Sequence, residues 1–176
     1  MRHAGARLMP DRREKSPHDR ASHFAPINAG DRMFRIRVER LIPKDIETVF
    51  DAITDHAGYE RYPVVEKSTL LEDGGKDRNG EGALRYVHAG GIHFYERITA
   101  YERPTRMGYQ IVDSKPFSIR HDLGEITLAS EGQGTRVVWR SEGHIAIPLL
   151  GGLLDRVAEA RAAKSFARLL ECIERD

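Results

Sequence analysis

The tetrapeptide Ala89-Gly90-Gly91-Ile92 constrains the chain more than any other segment. A Gly-Gly pair between two alternating runs predicts a two-residue hairpin turn, because such turns need positive φ, which glycine adopts without steric cost. Fixing the turn fixes every pair outward from it. One face receives Ala89 with Ile92, Val87 with Phe94, Arg85 with Glu96, and Ala83 with Ile98. The other receives His88 with His93, Tyr86 with Tyr95, and Leu84 with Arg97. The first face is apolar except for one arginine and one glutamate directly opposed, so it is predicted to face inward.

A second hairpin is readable around Glu131–Gly134, where a four-residue loop would oppose Leu128 to Val137 and Ile126 to Trp139. Upstream, Phe117, Ile119, His121 and Leu123 share one parity while Ile126 and Leu128 have the other. A bulge or kink at Gly124 would turn both sets inward, with His121 inside and Asp122 outside. Met107, Tyr109 and Ile111 form the inner face of another strand, entered through a turn at Arg103–Arg106.

Around these hairpins the order is strand, helix pair, about six strands, long helix. Phe34, Ile36 and Val38 alternate with charged residues in the first strand. Pro43 suits a first helical turn, and Ile46, Val49, Phe50 and Ile53 then form one apolar stripe. Tyr59–Pro63 reads as an aromatic turn or short helix, Val64–Leu71 as the second strand, and residues 73–82 as a loop. Hairpin-joined strands imply an antiparallel sheet and an α+β fold. The closing helix, about 149–175, is the one large element able to cover the sheet. It carries two stripes on different sides: Leu150, Leu153, Leu154 and Val157, then Phe166, Ala167, Leu170 and Ile173. A helix lying across a cavity would read this way.

Residues 1–32 are different. Seven Lys or Arg against four Asp or Glu, three prolines and no apolar period predict a disordered basic tail before a domain over 33–176. Translation from Met33 is an alternative expectation. The whole chain of 176 residues carries net charge +1, which gives no global electrostatic case for nucleic acid. No stretch reaches the ~18 apolar residues of a membrane span, and no secretory apolar core is present. The single cysteine, Cys172, excludes an internal disulfide and fits a reducing, cytoplasmic setting; its default reading is an inert packed thiol.

Read in order, these segments resemble the START-like, or SRPBCC, superfamily with its helix-grip fold, and within it the polyketide cyclase/dehydrase branch. The resemblance spans about Met33–Arg175. It rests on Pro43 to Phe50 after the opening strand, the Tyr59–Pro63 turn, Gly82-Ala83-Leu84-Arg85, Glu96-Arg97-Ile98, Pro104-x-Arg106-x-x-Tyr109, Gly134-Thr135-x-Val137-x-Trp139, and the closing helix. It implies a curved antiparallel sheet of about seven strands gripping the last helix. Between them would lie a cavity for a hydrophobic or amphipathic small molecule such as a lipid, polyketide or aromatic compound.

The expected ligand-binding residues are Arg85, Phe94, Glu96, Ile98, Tyr109, Ile111, His121 and Trp139. Arg85 and Glu96 are either a structural ion pair or an anchor for a carboxylate, enolate or phenolate oxygen. His121 is either a satisfied core histidine or a ligand contact or base. Arg85, Glu96 and His121 are thus the catalytic candidates if the protein is a cyclase or dehydratase; no diagnostic catalytic motif surrounds them. Simple binding is the leading expectation, and a module presenting lipid or quinone to partners is the third. His88 and His93 could be two metal ligands, but no third is evident and two surface histidines are the plainer reading. No metal or cofactor is expected, and the sequence does not fix an oligomeric state.

Overall fold

The computed structural model describes residues 32–146 and 152–176. Seven strands, Arg32–Ile42 (β1), Lys67–Glu72 (β2), Leu84–Ala89 (β3), Ile92–Glu102 (β4), Arg106–Lys115 (β5), Ser118–Glu131 (β6) and Gly134–Ala146 (β7), form one antiparallel sheet. Their order is β1-β7-β6-β5-β4-β3-β2. Strands β2 to β7 follow one another through neighbouring pairs, and β1 closes against the last of them. The first two strands therefore sit at opposite edges. The helix Ile46–Thr54 (α1) and a 3-10 helix at Ala57–Arg61 carry the chain between those edges. The long helix Gly152–Arg175 (α2) packs along β1. The expected tail over 1–32 lies outside the described residues except for Arg32, which opens β1. The side chains of Leu150, Leu153, Leu154 and Val157 also lie outside them.

The β3–β4 register is the expected one, from Ala89 with Ile92 through Arg85 with Glu96 to Leu84 with Arg97. Gly90 and Gly91 have φ of 60° and 76°, the pair of positive values that a right-twisted hairpin prefers. The β6–β7 loop is tighter than expected, with Gly132 and Gln133 alone between paired Glu131 and Gly134. Leu128 still opposes Val137, and Ile126 opposes Trp139.

Three expectations need correction. Helix α1 starts at Ile46 and not at Pro43, because Asp45 caps it: its carboxylate accepts from the Thr48 backbone N–H at 2.9 Å and from the Thr48 hydroxyl at 2.6 Å. Strand β2 starts at Lys67 and not at Val64, since the Val65 N–H is taken by the Tyr62 carbonyl. The β6 bulge lies at Asp122, because His121 pairs with Gly143 and Leu123 with Glu142. Alternation from Ile126 then puts Gly124 inside and Leu123 outside. Gly124 is needed for space: a Cβ there would stand 2.5 Å from both the Tyr109 carbonyl oxygen and His121 Cε1.

The core joins Val49, Phe50 and Ile53 of α1 to Ile42, Met107, Ile126, Leu128 and Val137 of the sheet, and to Leu169, Leu170 and Ile173 of α2. The far end of α2 is tied down by polar contacts. Arg40 pairs with Glu174, Lys44 donates to the Ile173 carbonyl at 3.0 Å, and Arg61 meets Asp176 at 3.3 Å.

Candidate functional site

A cavity of about 210 Å³ lies between the inner face of the sheet and α2. Arg85, Phe94, Glu96, Tyr109, Ile111 and Trp139 all contribute to its wall. Ile98 and His121 do not: Ile98 is packed within the core, and His121 lies behind Tyr109, the two rings tilted with centroids 5.3 Å apart. The helix closes the other side with Ala162, Ser165, Phe166 and Leu169. Trp139 stacks on Phe166 at 4.3 Å, and its indole N–H donates to the Tyr109 hydroxyl at 2.9 Å.

Arg85 is the largest fully buried side chain among the described residues, 1% exposed. An unpaired charge there would be prohibitive, so its partners decide whether the fold tolerates it. Its Nε donates to Glu96 Oε2 at 2.7 Å. Its Nη1 donates to His56 Nδ1 at 3.0 Å, and the opposite ring nitrogen of His56 donates to the Asn79 carbonyl at 2.9 Å. His56 is therefore a neutral imidazole protonated on Nε2. Burial, then the adjacent guanidinium, hold its pKa well below the ordinary value. The guanidinium also lies over the rings of Tyr59 and Tyr109, 5.3 and 5.4 Å from their centroids. Burial is the largest influence and opposes the Arg85 charge, but Glu96, Tyr59 and Tyr109 together more than offset it and raise the pKa, so Arg85 stays ionised. Burial, and then Glu96, raise Tyr109, which stays a phenol.

This set leaves capacity unused. Arg85 keeps N–H groups beyond those given to Glu96, His56 and the Tyr59 hydroxyl, and Glu96 Oε1 has no donor among the described residues. Both side chains face the cavity. Together they offer one donor and one acceptor beside an apolar chamber, suited to a carbonyl next to a hydroxyl or to an enol.

His121 has no such freedom. The Ile111 backbone N–H donates to its Nδ1 at 3.1 Å, so Nε2 carries the proton and donates to Ser141 Oγ at 3.0 Å. Burial lowers its pKa. Its effect on the cavity is indirect: Ser141 lines the wall, accepts from His121 and donates in turn to the Tyr109 hydroxyl.

His56, Tyr59 and Ser141 were not reached by reading the sequence for the site. His56 and Tyr59 come from the α1 end and the 3-10 helix, 29 residues before Arg85 in the case of His56. No periodicity links such residues to β3; the aromatic turn at Tyr59 was the available signal. His88 and His93 stack on the outer face at 4.2 Å, with His93 Nδ1 bonded to the Tyr86 hydroxyl at 2.6 Å. No group of three or more metal-ligating side chains occurs among the described residues. Cys172 is a free, half-buried thiol on α2. No described helix is long and apolar enough to cross a membrane.

Residues 33–175 match the model of a family described as polyketide cyclase/dehydrase and lipid transport. No curated protein matches the chain at a significant level. Among solved structures, a protein from Thermus thermophilus is 23% identical, with TM-score 0.64 over 80% of this chain and 94% of its own. A START superfamily protein from Mycobacterium smegmatis is 14% identical, with TM-score 0.61 over 81% and 95%. A protein from the dynemicin biosynthetic locus is 17% identical, with TM-score 0.58 over 80% of this chain and 47% of its own. The architecture is the α+β helix-grip fold.

Proposed function

The chain belongs to the polyketide cyclase/dehydrase and lipid-transport family, and on that premise we propose that it binds a lipid, polyketide or aromatic molecule in the cavity under α2, with one ligand oxygen held by Arg85 and Glu96. The observation that carries this reading is the spare N–H capacity of Arg85 and the open Glu96 Oε1 at the wall of a largely apolar chamber. Replacing a buried ion pair with apolar residues of similar volume is often neutral or stabilising. A pair kept there, with hydrogen-bonding capacity turned toward open space, fits recognition better than stability alone. The size is also suitable: an apolar cavity of roughly 150 Å³ accepts benzene, so 210 Å³ suits a ring system or a short acyl chain.

The test uses gently purified protein and native mass spectrometry, comparing the wild type with the double variant Arg85→Met, Glu96→Leu. A bound species of fixed mass is expected in the wild type and absent from the folded double variant. The same species retained at the same occupancy in the variant would remove these residues from the site. A second reading, cyclase or dehydratase chemistry, is supported by the free Glu96 oxygen, because a proton acceptor stands next to the oxygen-orienting arginine. His121, with both nitrogens engaged, is a poorer base. That reading requires turnover that Glu96→Gln abolishes while binding survives. The lone free thiol is consistent with a cytoplasmic setting.

A further inference from the structure

The cavity has a second charged group at its other end. Glu159 of α2 contributes to the wall. It shares a helical face with Ala162, Phe166 and Leu169, at spacings of three, seven and ten residues, whereas Ala160, Arg161, Lys164 and Arg168 are exposed. A carboxylate on the covered face of a helix is out of place unless something there uses it. Glu159 is half-buried and has no ion pair or hydrogen bond with any described residue.

Its position follows from the pinned end of the helix. Glu174 meets Arg40 late in β1, and Asp176 meets Arg61 of the 3-10 helix, whose Tyr59 lies against Arg85. Glu159 is about 22 Å back along the helix from Glu174. The same distance back along β1 leads to Met33 and Phe34. Both line the cavity, and Met33 is 47% exposed. Ala89, Ile92 and Ile145, at strand ends, complete this rim. Arg85 and Glu96 thus form the closed end of the cavity, and Glu159 stands at its mouth.

We propose that Glu159 is an anionic subsite that selects ligands carrying an amine, or another strong hydrogen-bond donor, at the end remote from Arg85, and that disfavours ligands ending in a carboxylate. The inference rests on the binding role proposed above and sharpens it. Among the described residues that line the cavity, Arg85 and Glu96 neutralise each other and Glu159 is the remaining charge, so it sets the sign of the field a ligand's outer end meets.

Trp139 makes the test direct. It is the sole tryptophan of the chain and lines the cavity, so its emission reports occupancy. Decylamine, decan-1-ol and decanoate are titrated near neutral pH, below micelle-forming concentrations, against the full chain, Glu159→Gln and Glu171→Gln. Glu171 pairs with Arg168 and Arg175 on the surface and controls for net charge. The wild type is expected to bind decylamine about fivefold more tightly than decanol, the size of a partly exposed ion pair, with decanoate weakest. Glu159→Gln should abolish the amine preference and leave decanol unchanged, while Glu171→Gln preserves the full order. An unchanged amine-to-alcohol ratio in Glu159→Gln, or decanoate equal to decylamine in the wild type, overturns the subsite. If none of the three ligands alters Trp139 emission, the binding role fails and the subsite fails with it.

Discussion

The two faces of the sheet handle charge in opposite ways. On the inner face one arginine and one glutamate are sealed between aromatic rings, with a neutral imidazole as third partner. On the outer face charges are many and shared: Arg136 bridges Glu39 and Glu131, and Arg106 and Arg140 both hold Glu125. Water stabilises every member of the outer set whether paired or not, so loss of one partner leaves the others solvated. The inner pair has no such fallback. The same two residue types are therefore interchangeable surface on one side and a committed site on the other.

The largest break in this contrast is Arg85→Ala. It leaves Glu96 buried without its partner and should cost about 3–5 kcal/mol in urea unfolding. The double change Arg85→Met, Glu96→Leu should recover most of that loss. If it does not, the pair is structural before it is anything else. Next comes Gly124→Ala, which forces a methyl group against the Tyr109 carbonyl and the His121 ring; a loss of about 1–3 kcal/mol is expected. An unchanged melting temperature would show that the bulge at Asp122 can slide.

Acidification separates the faces by pH. The pKa values of His56 and His121 are lowered in the fold, chiefly by burial, so the unfolded chain takes up more protons near and below their ordinary value of 6.5. Stability from these groups is complete above that value and is lost as pH falls from it toward the lower folded values. Outer-face Glu39, Glu125 and Glu131 have pKa values lowered by hydrogen bonds from their arginines. Their contribution persists until the pH drops below the ordinary 4.5 and through the folded values. Urea midpoints should therefore already decline between about pH 7 and about pH 5.5. A flat profile over that range would contradict the neutral, buried state of both histidines. Smallest of all is Arg136→Ala, expected to leave the melting temperature unchanged at physiological ionic strength, where exposed charges are screened.

How much of this was readable from the sequence depended on distance along the chain. The opposition of Arg85 and Glu96 followed from a two-residue turn, since a hairpin register propagates from its glycines. Sequence parity sets the bulge two residues late, because a change of parity marks the neighbourhood of an extra residue and not the residue itself. His56 and Tyr59 escaped because they reach Arg85 through the connection between opposite edges of the sheet, a closure no local pattern encodes. Ile98 and His121 share a face with the cavity residues. Parity assigns a face, but which residues on it border open space depends on what the helix above leaves uncovered.

Among the residues by which helix α2 meets the cavity are Ala162, Ser165 and Phe166, none of which takes part in the sheet's hydrogen-bond ladder. Part of the guest's shape is thus written in a stretch of the gene apart from the frame. Substitutions at these three positions can enlarge, shrink or re-polarise the chamber while every strand register stays as it is. A lineage, or an engineer, can exchange one guest for another by editing a single turn and a half of helix.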